Sequence, residues 1–208
     1  MKVADMHCDT ILAIQRGREQ GKEISLRKNN LNVDLERMKK GDYLIQNFAI
    51  FLDLEDPILA HLDYVIASIH KPVKKPGTKE ENTRTYLNAM KNPYVTIIGH
   101  CDDVKYPVDY LAIVRAAMEH QILLEINNSS LSPDGYRGDT RFNDLMILNL
   151  CRHFHYPILL SSDSHGTKHV GDFTYAQELL KKADFPKSLV LNNSSSEFQA
   201  FLQKRKRR

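Results

Sequence analysis

Tyr156-Pro157-Ile158-Leu159-Leu160-Ser161-Ser162-Asp163-Ser164-His165 is an apolar run fixed at its start by proline and closed by a carboxylate and an imidazole two residues apart. It reads as a buried strand, and alternation places residues i and i+2 on one side, so Asp163 and His165 can face one site. Three other apolar runs end in histidine: Val3-Ala4-Asp5-Met6-His7, Tyr64-Val65-Ile66-Ala67-Ser68-Ile69-His70 and Val95-Thr96-Ile97-Ile98-Gly99-His100. One such histidine is ordinarily structural. Four at the same place in four strands point to strand ends that converge on bound metal.

Between these runs the chain alternates strand and helix. A helix is expected at 35–40, capped by Asp34 and ended by Gly41, with further helices near 81–91, 108–120, 142–154, 172–183 and 195–204. Strands are expected at 1–10, 43–54, before His70, before His100, at 122–127, before Asp163 and at 188–191, with 11–33 polar and loop-like. From His70 onward the successive site-bearing residues His70, His100, Glu125 and Asp163 lie 25 to 38 residues apart, about one βα unit each. Such alternation implies parallel pairing with right-handed crossovers, and polar groups at the C-terminal strand ends line the active face of a barrel. The fold class is therefore α/β, a distorted or incomplete (β/α) barrel with about seven parallel strands, one short of the usual eight.

The 208 residues suffice for a single barrel domain. Its net charge of +3 rests on the tail Lys204-Arg205-Lys206-Arg207-Arg208, without which it is −2. The body therefore offers no nucleic-acid surface, and the tail is read as a frayed, solvated end. No run reaches the roughly 20 apolar residues of a membrane span, and no signal-peptide pattern opens the chain. Cys8, Cys101 and Cys151 are odd in number and lack CxxC spacing, which fits a reducing cytoplasm rather than a disulfide framework.

The candidate metal ligands are His7, Asp9, His70, His100, Asp163 and His165. Mixed imidazole and carboxylate donors suit zinc best, with manganese and iron as alternatives, and six ligands exceed one tetrahedral ion, so one or two ions are expected. Glu125 lies inside the apolar strand 122–127, where an unpaired carboxylate is costly. It is either a site residue or an internal salt-bridge partner. Asn127 faces the same way. Arg137 and Arg141 are candidates to hold an anionic substrate, and Asp102 and Asp103 either support the site or cap a helix. His61, His120, His153, His155 and His169 follow no strand-end rule and read as surface or packing residues.

Leu62-Asp63-Tyr64-Val65-Ile66-Ala67-Ser68-Ile69-His70, Ile97-Ile98-Gly99-His100, Leu124-Glu125-Ile126-Asn127-Asn128-Ser129-Ser130, Ser162-Asp163-Ser164-His165 and Asp184-Phe185-Pro186 closely resemble the PHP (polymerase and histidinol phosphatase) metal-dependent phosphoesterases. The likeness spans residues 56–203 and is strongest to their small stand-alone phosphatases. It implies that His70, His100, Asp163 and His165 are metal ligands in a distorted seven-stranded barrel. It also implies hydrolysis of phosphate esters. The first expectation is therefore a metal-generated hydroxide attacking a small-molecule phosphate ester, with Asp163 and Glu125 as catalytic groups and Arg137 and Asn127 meeting the substrate.

Residues 1–54 resemble instead the start of the membrane (renal-type) zinc dipeptidases, through Asp5-Met6-His7-Cys8-Asp9-Thr10, Leu31-Asn32-Val33-Asp34-Leu35-Glu36-Arg37-Met38-Lys39-Lys40-Gly41 and Gln46-Asn47-Phe48-Ala49-Ile50-Phe51. That resemblance implies His7 and Asp9 as metal ligands through a His-x-Asp motif. Together the two likenesses imply a chimera joined near Asp53 to Pro57, in which Asp53 or Glu55 replaces a bridging glutamate. Two other functions remain open at this level: a metal-binding barrel with little catalysis, and a dipeptidase or other amidohydrolase.

Overall fold

A computed structural model describes residues 2–5, 8, 10–46, 56–71, 74–164 and 169–206. Six short strands appear among them, all pairing in parallel: β1 (Val3–Asp5), β2 (Tyr43–Gln46), β3 (Val65–Ala67), β4 (Val95–Ile98), β5 (Leu123–Asn127) and β6 (Ile158–Ser161). They form a two-stranded sheet β1-β2 and a four-stranded sheet β3-β4-β5-β6. Helices alternate with them: α1 (Thr10–Glu19), α2 (Leu35–Lys40), α3 (Lys79–Met90), α4 (Tyr110–His120), α5 (Arg141–His153), α6 (Thr174–Lys182) and α7 (Ser195–Lys206). The α/β expectation holds in this form.

Local chemistry explains the boundaries. Thr78 and Glu81 form a reciprocal capping box at the start of α3, and Asp109 accepts from the Ala112 amide to start α4. Asp34 caps α2 through the Arg37 amide, as the sequence reading expects. Every residue of β4, β5 and β6 is buried, as expected of parallel strands covered on both faces.

Alternation along these strands sorts their side chains into two apolar groups. Ile98, Leu124, Ile126, Ile158 and Leu160 face the surrounding helices. Ile97, Leu123 and Leu159 join Ala4 of β1, with Leu191 and Phe198, on the other side. Phe198, Phe201 and Leu202 of α7 pack into this second group. α7 therefore covers this second face near the start of the strands, and Glu125 and Asn127, on the face of Leu123, lie toward their C-terminal ends.

The two sheets meet along β1 and β6. The Ser162 amide donates to the Ala4 carbonyl at 3.0 Å, and the Lys2 amide to the Asn192 carbonyl at 3.1 Å.

Two expected elements differ. Residues 11–33 are not uniformly loop, since α1 occupies their first part. Gly17 and Gly21 read as loop markers, yet Gly17 lies within α1, where a Cβ would sit 2.6 Å from Ile24 Cδ1, and only Gly21, at φ +73, lies beyond the helix. The strand expected at 188–191 is instead two 3-10 turns flanking Val190, which makes a single parallel bridge to Ile158. The Asn192 side chain does the pairing that backbone would do, accepting from the Leu160 amide at 2.7 Å and donating to the Leu160 carbonyl at 3.0 Å.

The basic tail is also not a frayed end throughout. Arg205 is buried and donates to the carbonyls of Met90, Asn92 and Val95, tying α7 to the end of α3 and the start of β4. The strand expected over 43–54 is seen as β2, and its remainder, with Asp53 and Glu55, lies outside the described residues.

Candidate functional site

His70 and His100 follow β3 and β4 and meet there, with ring centroids 4.8 Å apart in an edge-on arrangement. Gly99, just before His100, lies close against β3 and Glu125: a Cβ on it would lie 3.1 Å from Ile66 Cγ2 and 3.4 Å from a Glu125 oxygen. His100 then adopts φ +30, a left-handed conformation that costs a non-glycine residue on the order of 1–3 kcal/mol. Its amide donates to Glu125 Oε2 at 2.6 Å, which holds that conformation. Its Nδ1 is buried with no hydrogen-bond partner among the described residues. Burial, with Arg137 and His70 nearby, pushes its pKa down to about 3. The ring is therefore neutral and able to ligate. The His70 Nε2 lies 2.9 Å from Ser68 Oγ.

Glu125 is 1% exposed, and its Oε1 has no hydrogen-bond partner among the described residues. Burial, reinforced by the charge on Asp163, raises its pKa to about 7, against the pull of Ser161, Arg137 and the His100 amide. One strand position further along this face, Asn127 donates from Nδ2 to Asp163 Oδ2 at 3.0 Å.

Asp163 is itself left-handed, at φ +46. The same Oδ2 accepts from Arg137 Nη2 at 2.9 Å, an ion pair whose side chains are 2% and 4% exposed. The rest of the guanidinium is also engaged: Nη1 donates to Ser130 Oγ, Nη2 to the Tyr136 hydroxyl, and the Tyr136 ring lies 4.6 Å away. Arg137 is thus a buried partner of Asp163. Arg141 is exposed and paired with Asp139.

Behind Arg137 lie two more acids. Both carboxyl oxygens of Asp102 and Oδ1 of Asp144 are buried without a full hydrogen bond among the described residues. Burial raises both pKa values; Arg137 opposes this at Asp102, and Asp102 adds to it at Asp144. On the other side of the strand ends Asp5 is fully buried, accepting from Ser162 Oγ and the Ser164 amide on Oδ1, and from Gln46 Nε2 on Oδ2. Asp5 and Asp144 have no role in the sequence reading. Their position in buried elements was the one available signal, the same cost argument that singled out Glu125.

His70, His100, Glu125, Asn127, Arg137 and Asp163 therefore come together at the ends of β3–β6. His7, Asp9 and His165 lie outside the described residues. Among the described residues no three potential ligands close into a metal cluster. His61, His153, His155 and His169 are exposed and His120 half-buried, in keeping with surface or packing roles.

No protein-family model matches the chain. It is 43% identical over 152 residues to a probable phosphatase of Clostridium novyi, covering 73% of this chain and 62% of that protein. It is 40% identical over 152 residues to one of Clostridium acetobutylicum, with the same coverage. A Clostridium botulinum probable phosphatase is 34% identical over 182 residues, 84% of this chain and 73% of that protein. The chain thus spans about 62% of the length of the first two relatives. An alignment over 84% of the chain is longer than everything after Leu54, so this relatedness crosses the expected junction. It gives no support to a chimera, and these relatives' names give none to a dipeptidase.

Proposed function

The chain belongs to one family with these bacterial probable phosphatases, and from that premise we propose that it is a metal-dependent phosphoesterase of the PHP type acting on a small-molecule phosphate ester. The observation that carries this reading is the pair of orphaned buried atoms, His100 Nδ1 and Glu125 Oε1, beside the His70 ring and near the Asp163 carboxylate. Unpaired polar atoms of this kind are costly in a folded core unless something else meets them. Imidazole and carboxylate donors without thiolate fit zinc, manganese or iron.

We assign His70, His100 and Asp163 to hold such an ion, completed by His7, Asp9 and His165. A divalent ion bound there supplies Lewis-acid stabilisation of phosphoryl charge and a nucleophile at neutral pH. The protein's own groups do the rest. Arg137 and Asn127 fix Asp163 and place positive charge where phosphoryl oxygens gather negative charge. Glu125, poised near neutrality, can hold or release a proton while its other oxygen fixes His100.

We read the two sheets as arcs of one distorted barrel domain in the order β2-β1-β6-β5-β4-β3. The Ser162–Ala4 contact joins β6 to β1, and the Tyr64 hydroxyl donating to the Gln46 carbonyl at 3.0 Å brings the β3 side toward β2.

The test combines metal content by elemental mass spectrometry with turnover of an aryl phosphate, for wild type, His7→Ala/Asp9→Ala and His70→Ala. Bound zinc, manganese or iron that falls in both variants, together with lost turnover, supports the reading. Turnover surviving His70→Ala with metal content unchanged overturns the assigned site, and a wild type inactive on phosphate esters with every added divalent ion overturns the activity.

A further inference from the structure

We propose that Asp5 is a positioning residue, which sets the backbone of Asp163 from across the β1–β6 seam. The inference rests on the phosphoesterase reading for its catalytic meaning, but its geometry stands separately. Asp163 is bracketed by Ser162 and Ser164, and both are tied to the same oxygen of Asp5, at 2.9 Å to the Ser162 hydroxyl and 2.8 Å to the Ser164 amide. The other oxygen takes Gln46 Nε2 at 2.6 Å, so one buried side chain joins the ends of β1 and β2 to the segment after β6. Each of these contacts is a donor facing a side-chain oxygen of Asp5.

What Asp5 holds in place is a strained turn. Asp163 sits at φ +46, a region that aspartate enters more readily than most residues but keeps only when its surroundings impose it. Inside the turn, the Asp163 amide donates to Ser161 Oγ at 3.2 Å. The side chain is held separately by Asn127 and Arg137. Asp5 therefore governs where the Cα of residue 163 lies, while Arg137 and Asn127 govern where its carboxylate points. Without the Asp5 anchor, residue 163 is free to relax to an ordinary φ and to draw its carboxylate away from His100.

Full-length Asp5→Ala, Asp5→Asn and Ser162→Ala are compared with wild type by amide hydrogen exchange over 158–164 and by aryl phosphate turnover. In Asp5→Ala the exchange over 162–164 accelerates at least tenfold while that of β4 and β5 does not change, and kcat falls roughly 10- to 100-fold with KM within about threefold, as a displacement near 1 Å requires. Asp5→Asn keeps an oxygen able to accept from both serines, and Gln46 can turn its amide to match, so protection and kcat return to within about threefold of wild type. Ser162→Ala removes one of the two ties and shifts both readouts in the same direction by less, which keeps the test open should Asp5→Ala fail to fold. Wild-type protection and kcat in Asp5→Ala, or an Asp5→Asn protein as impaired as Asp5→Ala, overturns the positioning role. A wild type that turns over no phosphate ester overturns the phosphoesterase reading instead, and the exchange data then decide the anchor alone.

Discussion

Arg137→Met tests the electrostatics of the site by removing a charge while keeping most of the side-chain bulk. Arg137 is 2% exposed and its ion pair with Asp163 spans 2.9 Å. Its charge also stabilises the ionised forms of Asp102 and Glu125. Methionine fills much of the same volume, so little of the loss comes from a cavity. What remains is Asp163 with Asn127 as its remaining named side-chain donor, beside two acids already short of hydrogen bonds. Removing one partner of a buried ion pair costs about 3–5 kcal/mol, a large share of the 5–15 kcal/mol that holds a typical domain together. With a urea slope of about 2 kcal/mol per molar, the unfolding midpoint is expected to fall by roughly 1.5–2.5 M. Arg137→Lys keeps the charge but not the fork that reaches Ser130, Tyr136 and Asp163 together, so it is expected to fall between methionine and wild type. The assay is equilibrium urea unfolding in the presence of a chelator. A midpoint within about 0.5 M of wild type for Arg137→Met would place this pair among ordinary surface salt bridges and refute the reasoning.

Glu125 carries a pH signature. Its folded pKa of about 7 lies above the ordinary 4.5, so the folded state keeps a proton that the unfolded state gives up. Stability is therefore fully present below about pH 4.5 and falls as pH rises to about 7, by on the order of 3 kcal/mol. The difference between wild type and Glu125→Gln in metal-free urea titrations is expected to shift across that window and to be flat outside it; parallel curves throughout would contradict the assignment. Gly135→Ala must place a Cβ 2.9 Å from the carbonyl oxygens of Ser129, Ser130 and Ser132. It is expected to cost about 1–3 kcal/mol in thermal unfolding and to reduce the proposed aryl phosphate turnover by displacing the loop that carries Arg137. Arg205→Ala loses three bonds to carbonyl oxygens and is expected to lower stability by about 2–3 kcal/mol, and truncation after Lys204 is expected to match it.

Elements with local causes were legible. The capped helix α2, the strand β5 with its misplaced-looking glutamate, and the histidines after β3 and β4 could be read because their signals lie within a few residues of one another. Glu125 could be singled out because an acid inside an apolar strand needs a reason. Arg137 could be named as a candidate for an anionic substrate, but its pairing could not be read, because its partner Asp163 is 26 residues away. Asp5 was invisible as a site residue because the groups it holds are 157 and 159 positions distant. The last strand failed for a related reason. Residues 188–191 have the right composition, but the partner that completes β6 is a side chain, Asn192, which no backbone periodicity encodes.

The seam along β1 also bears on when the molecule can form. Lys2, Ala4 and Asp5 find their partners at Asn192, Ser162 and Ser164, so the first strand meets its far side only after some 160–190 further residues have been made. At roughly 5–20 residues per second, that is an interval of about 10–40 s during which the nascent β1 edge faces only β2. β3 to β6 with their helices can assemble in step with synthesis, because each strand pairs with the one just made. The candidate site is completed by a closure across most of the chain, and contacts of such high sequence separation are the slow ones. A ribosome-bound intermediate exposing β1 is thus the species in which this protein is most open to capture by a chaperone or by another unpaired strand.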